Sequence, residues 1–193
     1  MHLIFATSSE HKIREVQSIC PPDWKIISMK EAGFTGILPE TSDSLEGNSL
    51  QKAETLGVKM GMACFAEDTG LEIDALQGAP GVHTARFAGE HCSAEDNWRK
   101  VLLLLEGEKN RNARFRTIIT HYHHNQYRQF EGICEGEISL RPSGADGFGY
   151  DPVFVPRGSS KTFAEMDLAE KNHFSHRKKA FDLFATFLHS LTS

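Results

Sequence analysis

The start of the chain constrains its fold most, because it reads as a strand, a tight turn and a helix within twenty residues. A short apolar run, Leu3–Ala6, is followed at once by the small polar residues Thr7, Ser8 and Ser9. Such a run predicts a buried first strand, and Ser8 or Ser9 can cap the helix that follows. A turn of this kind directs backbone N–H groups and the positive end of a helix dipole at one point, which suits a phosphate group.

Further segments predict that strands and helices alternate along the chain. Residues 24–28 and 63–66 have the pattern of strands, and Asn48 can cap a helix with Gln51 at the capping-box position. On that helix the predicted buried face comprises Leu50, Ala53, Gly57 and Met60, with Lys52 pointing elsewhere. Residues 67–70 read as a turn before a short strand at residues 71–73.

The second half of the chain predicts a helix, a hairpin and a final helix. Ser93 can cap a helix, and two longer strands follow near residues 113–122 and 127–140, with a hairpin turn at residues 123–126. The tail from His176 to Leu191 has a helical pattern. Its predicted inward side chains are Ala180, Leu183, Phe184, Phe187, Leu188 and Leu191.

Composition excludes several classes of protein. The 193 residues suffice for one domain with a core, and their net charge of −5 argues against broad nucleic-acid binding, which needs a basic face. Four scattered cysteines without a C-x-x-C pair argue against a structural zinc site. No apolar run is long enough for a signal peptide or a membrane span. We therefore expect a cytoplasmic protein with residues 1–193 in a single domain, and neither membrane nor nucleic acid as a partner.

The polar turn Thr7-Ser8-Ser9-Glu10-His11-Lys12 is the first candidate site. Its hydroxyls, backbone amides and lysine could hold a phosphate group. The same pattern is also typical of an ordinary serine-capped helix with a solvated lysine.

Three carboxylates, Glu40, Glu67 and Asp68, are candidate metal ligands or general bases. Carboxylates at strand ends and in loops suit Mg²⁺, which takes a few of them together with water and substrate phosphate. Asp68 is the strongest candidate, because it follows the apolar run 64–66 and precedes Thr69-Gly70. Surface carboxylates without catalytic roles are the ordinary alternative.

Two motifs near the C-terminus predict a planar, anionic ligand. Residues 147–152, Gly-Phe-Gly-Tyr-Asp-Pro, combine glycines that permit close backbone approach with aromatic faces for stacking. Ser175-His176-Arg177 places an imidazole beside a guanidinium. A nucleotide satisfies both motifs, although a packed glycine-aromatic turn and a serine-capped helix are the structural alternatives. His121, His123 and His124 suggest a metal site, but a solvated hairpin is the favoured interpretation.

The chain as a whole resembles the inosine triphosphate pyrophosphatase, or Ham1-like, family. The resemblance runs in order through nearly the whole chain. It rests on Ala6-Thr7 leading to Lys12, Glu40-Thr41, Glu46-Gly47-Asn48 with Lys52-Ala53, residues 66–71, 80–82 with 85–89, 147–152, 163–166, 170–172 and 175–177.

The resemblance implies an elongated, two-lobed mixed α/β fold with flanking helices and a central nucleotide cleft, usually assembled as a homodimer. It implies Mg²⁺-dependent hydrolysis of ITP, dITP and XTP to the monophosphate and pyrophosphate. By position, residues 7–12 and Lys52 would bind the triphosphate, while Glu40 and Asp68 would serve the metal and the attacking water. The implied substrate- and base-binding residues are Thr69, Phe148, Gly149, Tyr150, Asp151, Lys171, His176 and Arg177.

One departure from the family pattern lies in the first motif. This chain has Ser9 where the family usually has Asn, and a serine hydroxyl reaches less far than a carboxamide. Thr69, where many relatives have Ser, keeps a hydroxyl. Three other hypotheses stay open on the sequence alone: a Maf-like pyrophosphatase of other nucleotides, a nucleotide-binding protein without turnover, and a nucleic-acid module.

Overall fold

A computed structural model describes residues 2–192, which form a seven-stranded sheet and five α-helices. The strands are β1 (His2–Phe5), β2 (Lys25–Ser28), β3 (Cys64–Ile73), β4 (Pro80–Gly81), β5 (Asn112–His123), β6 (Gln126–Ile138) and β7 (Phe154–Pro156). The helices are α1 (Glu10–Ile19), α2 (Leu45–Met60), α3 (Ala94–Leu104), α4 (Leu168–Phe174) and α5 (His176–Thr192). The predicted mixed α/β fold is confirmed.

The sheet has the strand order β2-β1-β3-β5-β6-β7, and β4 pairs with β3. Strand β1 is parallel to both of its neighbours, β2 and β3, whereas β4 and β7 pair antiparallel to β3 and β6. The predicted hairpin joins β5 to β6 through His124 and Asn125, which both have positive φ angles. A two-residue turn of this type matches the twist of the strands it connects.

The chain divides into two compact units. The first contains the residues up to Asp68, residues 117–132 and the residues from Arg177 onward; the second contains residues 69–116 and 133–176. Strands β3, β5 and β6 contribute residues to both units.

In the first unit, alternate residues of β1 and β3 supply two separate cores. Phe5 and Phe65 stack at 4.4 Å between ring centroids and pack with α1 and α5 residues, among them Phe181 and Phe184. The intervening residues of the two strands pack on the other face, with Ala53 and Leu56 of α2. Because successive residues of a strand point to opposite faces, this alternation decides which helices each later residue of β3 can reach.

The second unit has its own core. Leu71 and Ile73 of β3, Val101 of α3 and the rings of Phe115 and Phe163 are buried together. The capping box of α3, in which Ser93 and Asp96 exchange hydrogen bonds, confirms the predicted start of that helix.

Two predicted boundaries are wrong. The N-cap of helix α2 is Ser44, four residues before the predicted cap Asn48, because the Ser44 hydroxyl accepts the Gly47 N–H at 3.1 Å. The Asn48 carboxamide instead accepts the Ser42 N–H at 2.9 Å. The expected turn at residues 67–70 is the middle of an unbroken strand, β3, whose carboxylates are satisfied by ion pairs rather than by solvent.

The predicted helix faces also need correction. Lys52 is buried on the inner face of α2, where two carboxylates pair with it, whereas Leu50 and Met60 are only partly buried. In α5, Leu183 and Leu191 are exposed and Phe181 is fully buried. His121 does not belong to a solvated hairpin, since it is buried against the rings of Phe184 and Phe187, and burial lowers its pKa.

Within residues 2–192, none of the helices has both the length and the apolar character that crossing a bilayer requires.

Candidate functional site

The turn after β1 is held by its own hydroxyl groups. Thr7 Oγ1 accepts the Ser9 N–H at 3.2 Å, and Ser9 Oγ accepts the Lys12 N–H at 3.4 Å. Ser9 is therefore the N-cap of α1, which decides between the two predicted caps, Ser8 and Ser9. Glu10 and His11 are exposed in the first turn of the helix, where Arg14 contacts both the Glu10 carbonyl and the His11 ring. Neither residue lines the cavity described next.

A cavity of about 340 Å³ opens beside this turn in the first unit. Thr7, Ser8 and Lys12 line one part of it, and Glu40 and Lys52 line another. The remaining lining is Ala6, Met29, Gly36, Ile37 and Leu38. The two lysines and two hydroxyls in this lining make the cavity suited to an anionic ligand such as a phosphate chain.

Lys52 joins two carboxylates at this cavity. Its Nζ atom lies 2.6 Å from Glu40 Oε1 and 2.9 Å from Asp68 Oδ1. Burial disfavours the ammonium, but the charges of Asp68 and Glu40 outweigh burial and raise the pKa of Lys52. Burial raises the pKa of Asp68, an effect that the Lys52 cation opposes. A carboxylate with a raised pKa is a better proton acceptor at neutral pH than an ordinary aspartate.

Glu67 is the centre of a second ion-pair network. Its carboxylate accepts two hydrogen bonds from Arg177, at 2.7 and 2.9 Å, and lies 3.0 Å from Lys12 Nζ. Arg177 also pairs with Glu15 of α1. Although Glu67 is fully buried, Arg177 and Lys12 hold its pKa well below the usual range of a glutamate. The carboxylates of Glu67 and Glu15 outweigh burial and raise the pKa of Arg177 above that of an ordinary arginine.

Strand β3 separates the two networks by the alternation of its side chains. Glu67 follows Phe65 on the face covered by α1 and α5, while Asp68 follows Ala66 on the face covered by α2. Adjacent carboxylates thus bind different cations. Lys12 and Lys52 therefore both line the cavity, Lys12 paired with Glu67 and Lys52 paired with Asp68. The two carboxylates belong to the same strand, β3.

The charged cluster, defined here as Lys12, Glu15, Glu40, Lys52, Glu67, Asp68 and Arg177, contains three cations and four carboxylates. Its net formal charge of −1 leaves the negative charge of a triphosphate uncompensated, so a further cation bound with the ligand would be favourable. Among residues 2–192, no group of three or more His, Cys, Asp or Glu side chains is placed to hold a metal ion. Glu40 and Asp68, however, converge on one atom, and a pair of hard oxygen donors fits Mg²⁺, which completes its shell with water and phosphate.

In the second unit, Asp151 organises the glycine-aromatic motif. Its Oδ2 atom accepts the Phe148 N–H at 2.8 Å and the Lys171 ammonium at 2.8 Å. Lys171 lies over the rings of Phe148 and Phe163, at 5.1 and 5.2 Å from their centroids. The motif is thereby held rigidly around a buried ion pair, and Phe148 is left only partly buried.

The other predicted residues of this unit occupy defined positions. The Tyr150 hydroxyl donates to the Thr84 carbonyl at 2.9 Å, and burial raises the pKa of that phenol. The His176 ring is buried and stacks on Phe115 at 4.7 Å. Gly149 adopts a positive φ of 63°, and Thr69 is half-buried in β3.

Sequence reasoning missed two features of these clusters. Glu15, which pairs with Arg177, was not predicted; its place beside the buried Val16 on α1 was the available signal. Helix α4, which carries Lys171, was also missed. Its signal was Asp167 followed three residues later by Glu170, whose N–H the Asp167 carboxylate accepts at 2.8 Å.

Comparison with known proteins places the chain in a family. The model of the Ham1 family matches residues 3–187. The chain belongs to the Ham1 family. The dITP/XTP pyrophosphatase of Flavobacterium johnsoniae is 47% identical over 180 residues, which cover 93% of this chain and 94% of that protein. The dITP/XTP pyrophosphatase of Porphyromonas gingivalis is 46% identical, with 96% of each chain covered.

Solved structures agree with this assignment. The Staphylococcus aureus Ham1 protein superposes with a TM-score of 0.89 at 33% identity, over 98% of this chain and 99% of that one. A HAM1 protein from Coxiella burnetii gives the same values. The resemblance inferred from the sequence motifs is therefore confirmed over the whole fold.

Proposed function

We propose that this protein hydrolyses the non-canonical purine nucleoside triphosphates ITP, dITP and XTP to the monophosphate and pyrophosphate. The names of its Ham1-family relatives support this reaction. The structural observation that carries it is the cavity where Lys12, Lys52 and Glu40 meet, with Asp68 in contact with Lys52. Clearing deaminated purines from the nucleotide pool is the corresponding cellular role.

In the proposed mechanism, Asp68 orients and deprotonates a water molecule for in-line attack on the α-phosphorus. Its raised pKa suits a general base at neutral pH. Lys12 and Lys52 stabilise the negative charge of the departing pyrophosphate, and Thr7 and Ser8 supply hydroxyls at the cavity wall. Ser9, Glu10 and His11 complete the turn that positions these groups.

The proposed cofactor is Mg²⁺, held by Glu40 and Asp68. When bound, it would offset the negative charge of the phosphate oxygens, which the cluster's own net charge of −1 cannot do. The donor set supports a divalent ion of this type, since both protein ligands are carboxylates in contact with one lysine nitrogen.

Base recognition is proposed for Phe148, Gly149, Tyr150, Asp151, Lys171 and His176, with Thr69 as a further substrate contact. A fixed donor facing the 6-keto oxygen of hypoxanthine or xanthine would meet the 6-amino group of adenine unfavourably. An unpaired buried donor costs about 1–3 kcal/mol, enough for five- to 150-fold discrimination. Arg177 remains a predicted base contact, although its guanidinium already pairs with Glu67 and Glu15.

Two further proposals rest on the family resemblance. We propose that the protein is a homodimer and that it acts in the cytoplasm. Size-exclusion chromatography with light scattering distinguishes a dimer of about twice 21.6 kDa from a monomer.

The test is pyrophosphate release from ITP, dITP, XTP, ATP, GTP and a pyrimidine triphosphate, with Mg²⁺ and with EDTA. We expect rapid, metal-dependent release from ITP, dITP and XTP only. Asp68→Asn, purified identically, controls for contaminating activity, and Asp182→Asn, at an exposed ion pair of α5, controls for handling. Equal release from the canonical nucleotides would favour a Maf-like activity, and ITP binding without release would favour a binding protein.

A further inference from the structure

The ammonium of Lys52 lies where two proposed metal ligands meet. Lys52 comes from α2, Asp68 from β3 and Glu40 from the segment that precedes α2, and the distances are 2.6 Å to Glu40 and 2.9 Å to Asp68. The Lys52 side chain is 6% exposed and that of Asp68 is 12% exposed, so this pair is poorly screened, whereas the Glu40 side chain is 42% exposed and its pair with Lys52 is screened more. The lysine therefore acts on these carboxylates as a resident monovalent cation.

A divalent ion and this ammonium cannot both take the same position between the two carboxylates. At such separations two cations repel strongly, and the repulsion increases where the surroundings are buried. If the divalent ion binds, the ammonium has to leave both carboxylates. The flexible four-carbon stem of a lysine allows this movement.

The cavity gives the displaced ammonium a place to go. Lys52 lines the same cavity as Lys12, Thr7 and Ser8. A phosphate chain there would offer the ammonium new oxygen partners in exchange for the two it loses. Without phosphate, an ammonium that moved away from Glu40 and Asp68 would lose both ion pairs and gain no new anionic partner.

We propose that Lys52 competes with the divalent cation for Glu40 and Asp68, and that cation binding transfers the Lys52 ammonium to the phosphates of the substrate. The cation and the polyphosphate consequently bind cooperatively, and the free cation binds weakly. This inference deepens the proposed function and rests on it, because it takes Glu40 and Asp68 as the ligands of the cation.

The test measures Mn²⁺ binding in the absence of nucleotide, with the electron paramagnetic resonance signal of free Mn²⁺ as the readout. Lys52→Met removes the competing ammonium and should tighten Mn²⁺ binding about tenfold, equivalent to about 1.4 kcal/mol. Lys12→Met is the matched control, because Lys12 lines the same cavity but pairs with Glu67. It should change Mn²⁺ affinity less than about threefold, and Asp68→Asn added to Lys52→Met should abolish the gain.

A second readout follows the transfer to phosphate. In the wild type, added pyrophosphate should tighten Mn²⁺ binding, after correction for the complex that the two form in solution, and Lys52→Met should lose most of this coupling. Far-ultraviolet circular dichroism checks that the variants are folded, and Lys52→Gln replaces Lys52→Met if the latter is not.

Unchanged or weaker Mn²⁺ binding in Lys52→Met, or no Mn²⁺ binding in any of these proteins at millimolar concentration, overturns the proposal. These results are distinguishable from failure of the proposed function, which the nucleotide panel measures on the wild type. An inactive wild type whose Lys52→Met variant binds Mn²⁺ more tightly would refute the hydrolase and retain the competition.

Discussion

Replacing Arg177 by methionine should destabilise the fold severely. The substitution keeps an unbranched apolar stem and removes the guanidinium that makes two hydrogen bonds to Glu67 and pairs with Glu15. The Glu67 side chain has no exposed surface, so its charge is then compensated mainly by Lys12. Removing one partner of a buried ion pair costs about 3–5 kcal/mol, a large part of a typical unfolding free energy of about 5–15 kcal/mol.

Urea unfolding measures this loss. The fluorescence of Trp24, which is buried beside Phe181 in the first unit, reports on the relevant core. Arg177→Lys keeps the charge but not the paired geometry and should fall between wild type and Arg177→Met. The matched control is Lys178→Met in the next position, whose pair with Asp182 is exposed and should contribute less than about 1 kcal/mol.

The effect of Arg177→Met should also depend on pH in a definite direction. The folded pKa of Glu67 lies below its unfolded value, so the ion pair stabilises the wild type above about pH 4.3 and loses its contribution as the pH falls through the folded pKa. In Arg177→Met, Glu67 can take up a proton at higher pH, which removes the penalty of its buried charge. The difference in unfolding free energy between wild type and Arg177→Met should therefore have its full value at pH 7 and decrease below about pH 5. A loss at pH 7 no greater than that of Lys178→Met would refute this account of the network.

Three further predictions concern single residues. Asp68→Asn should retain the fold and ITP binding while its turnover falls about 10²- to 10⁴-fold, and wild-type turnover would remove Asp68 from the role of base. Gly147→Ala should cost about 1–3 kcal/mol more in urea unfolding than Gly149→Ala: both have positive φ, but only at Gly147 would a Cβ lie 2.9 Å from Asp151 Cβ and Cγ. Burial raises the pKa of Cys20 to about 12, so at pH 8 its thiolate fraction should be about 10³-fold below that of an ordinary thiol. Cys20 should therefore react with a disulfide reagent as fast as an unfolded cysteine only when denaturant is present.

Local patterns in the sequence predicted much of the fold. Ser93 caps the helix it was expected to cap, and Ser9, one of two predicted caps, caps α1, because a small hydroxyl before an amphipathic run is a local signal. The long hairpin of β5 and β6 was predicted equally well, from two strand-like runs separated by a short polar turn. That residues 1–193 act as a single domain stays a prediction.

The interactions that complete the candidate site lie beyond local patterns. The ion pair between Glu67 and Arg177 joins residues 110 positions apart, and the sequence around either residue does not predict the other as its partner. Lys52 was expected to avoid the buried face of its helix because a lysine is normally exposed. Burial is favourable here because Asp68, sixteen positions away, and Glu40 supply the compensating charges.

Hydrolysis of ITP in ¹⁸O-labelled water tests the central claim most directly. Attack on the α-phosphorus, as proposed here, places the label in inosine monophosphate and none in pyrophosphate, and Asp68→Asn forms little of either product. Mass spectrometry of the two products reads the outcome. Label in pyrophosphate, or release of labelled orthophosphate in place of pyrophosphate, would show that the enzyme attacks a different phosphorus and would contradict the account.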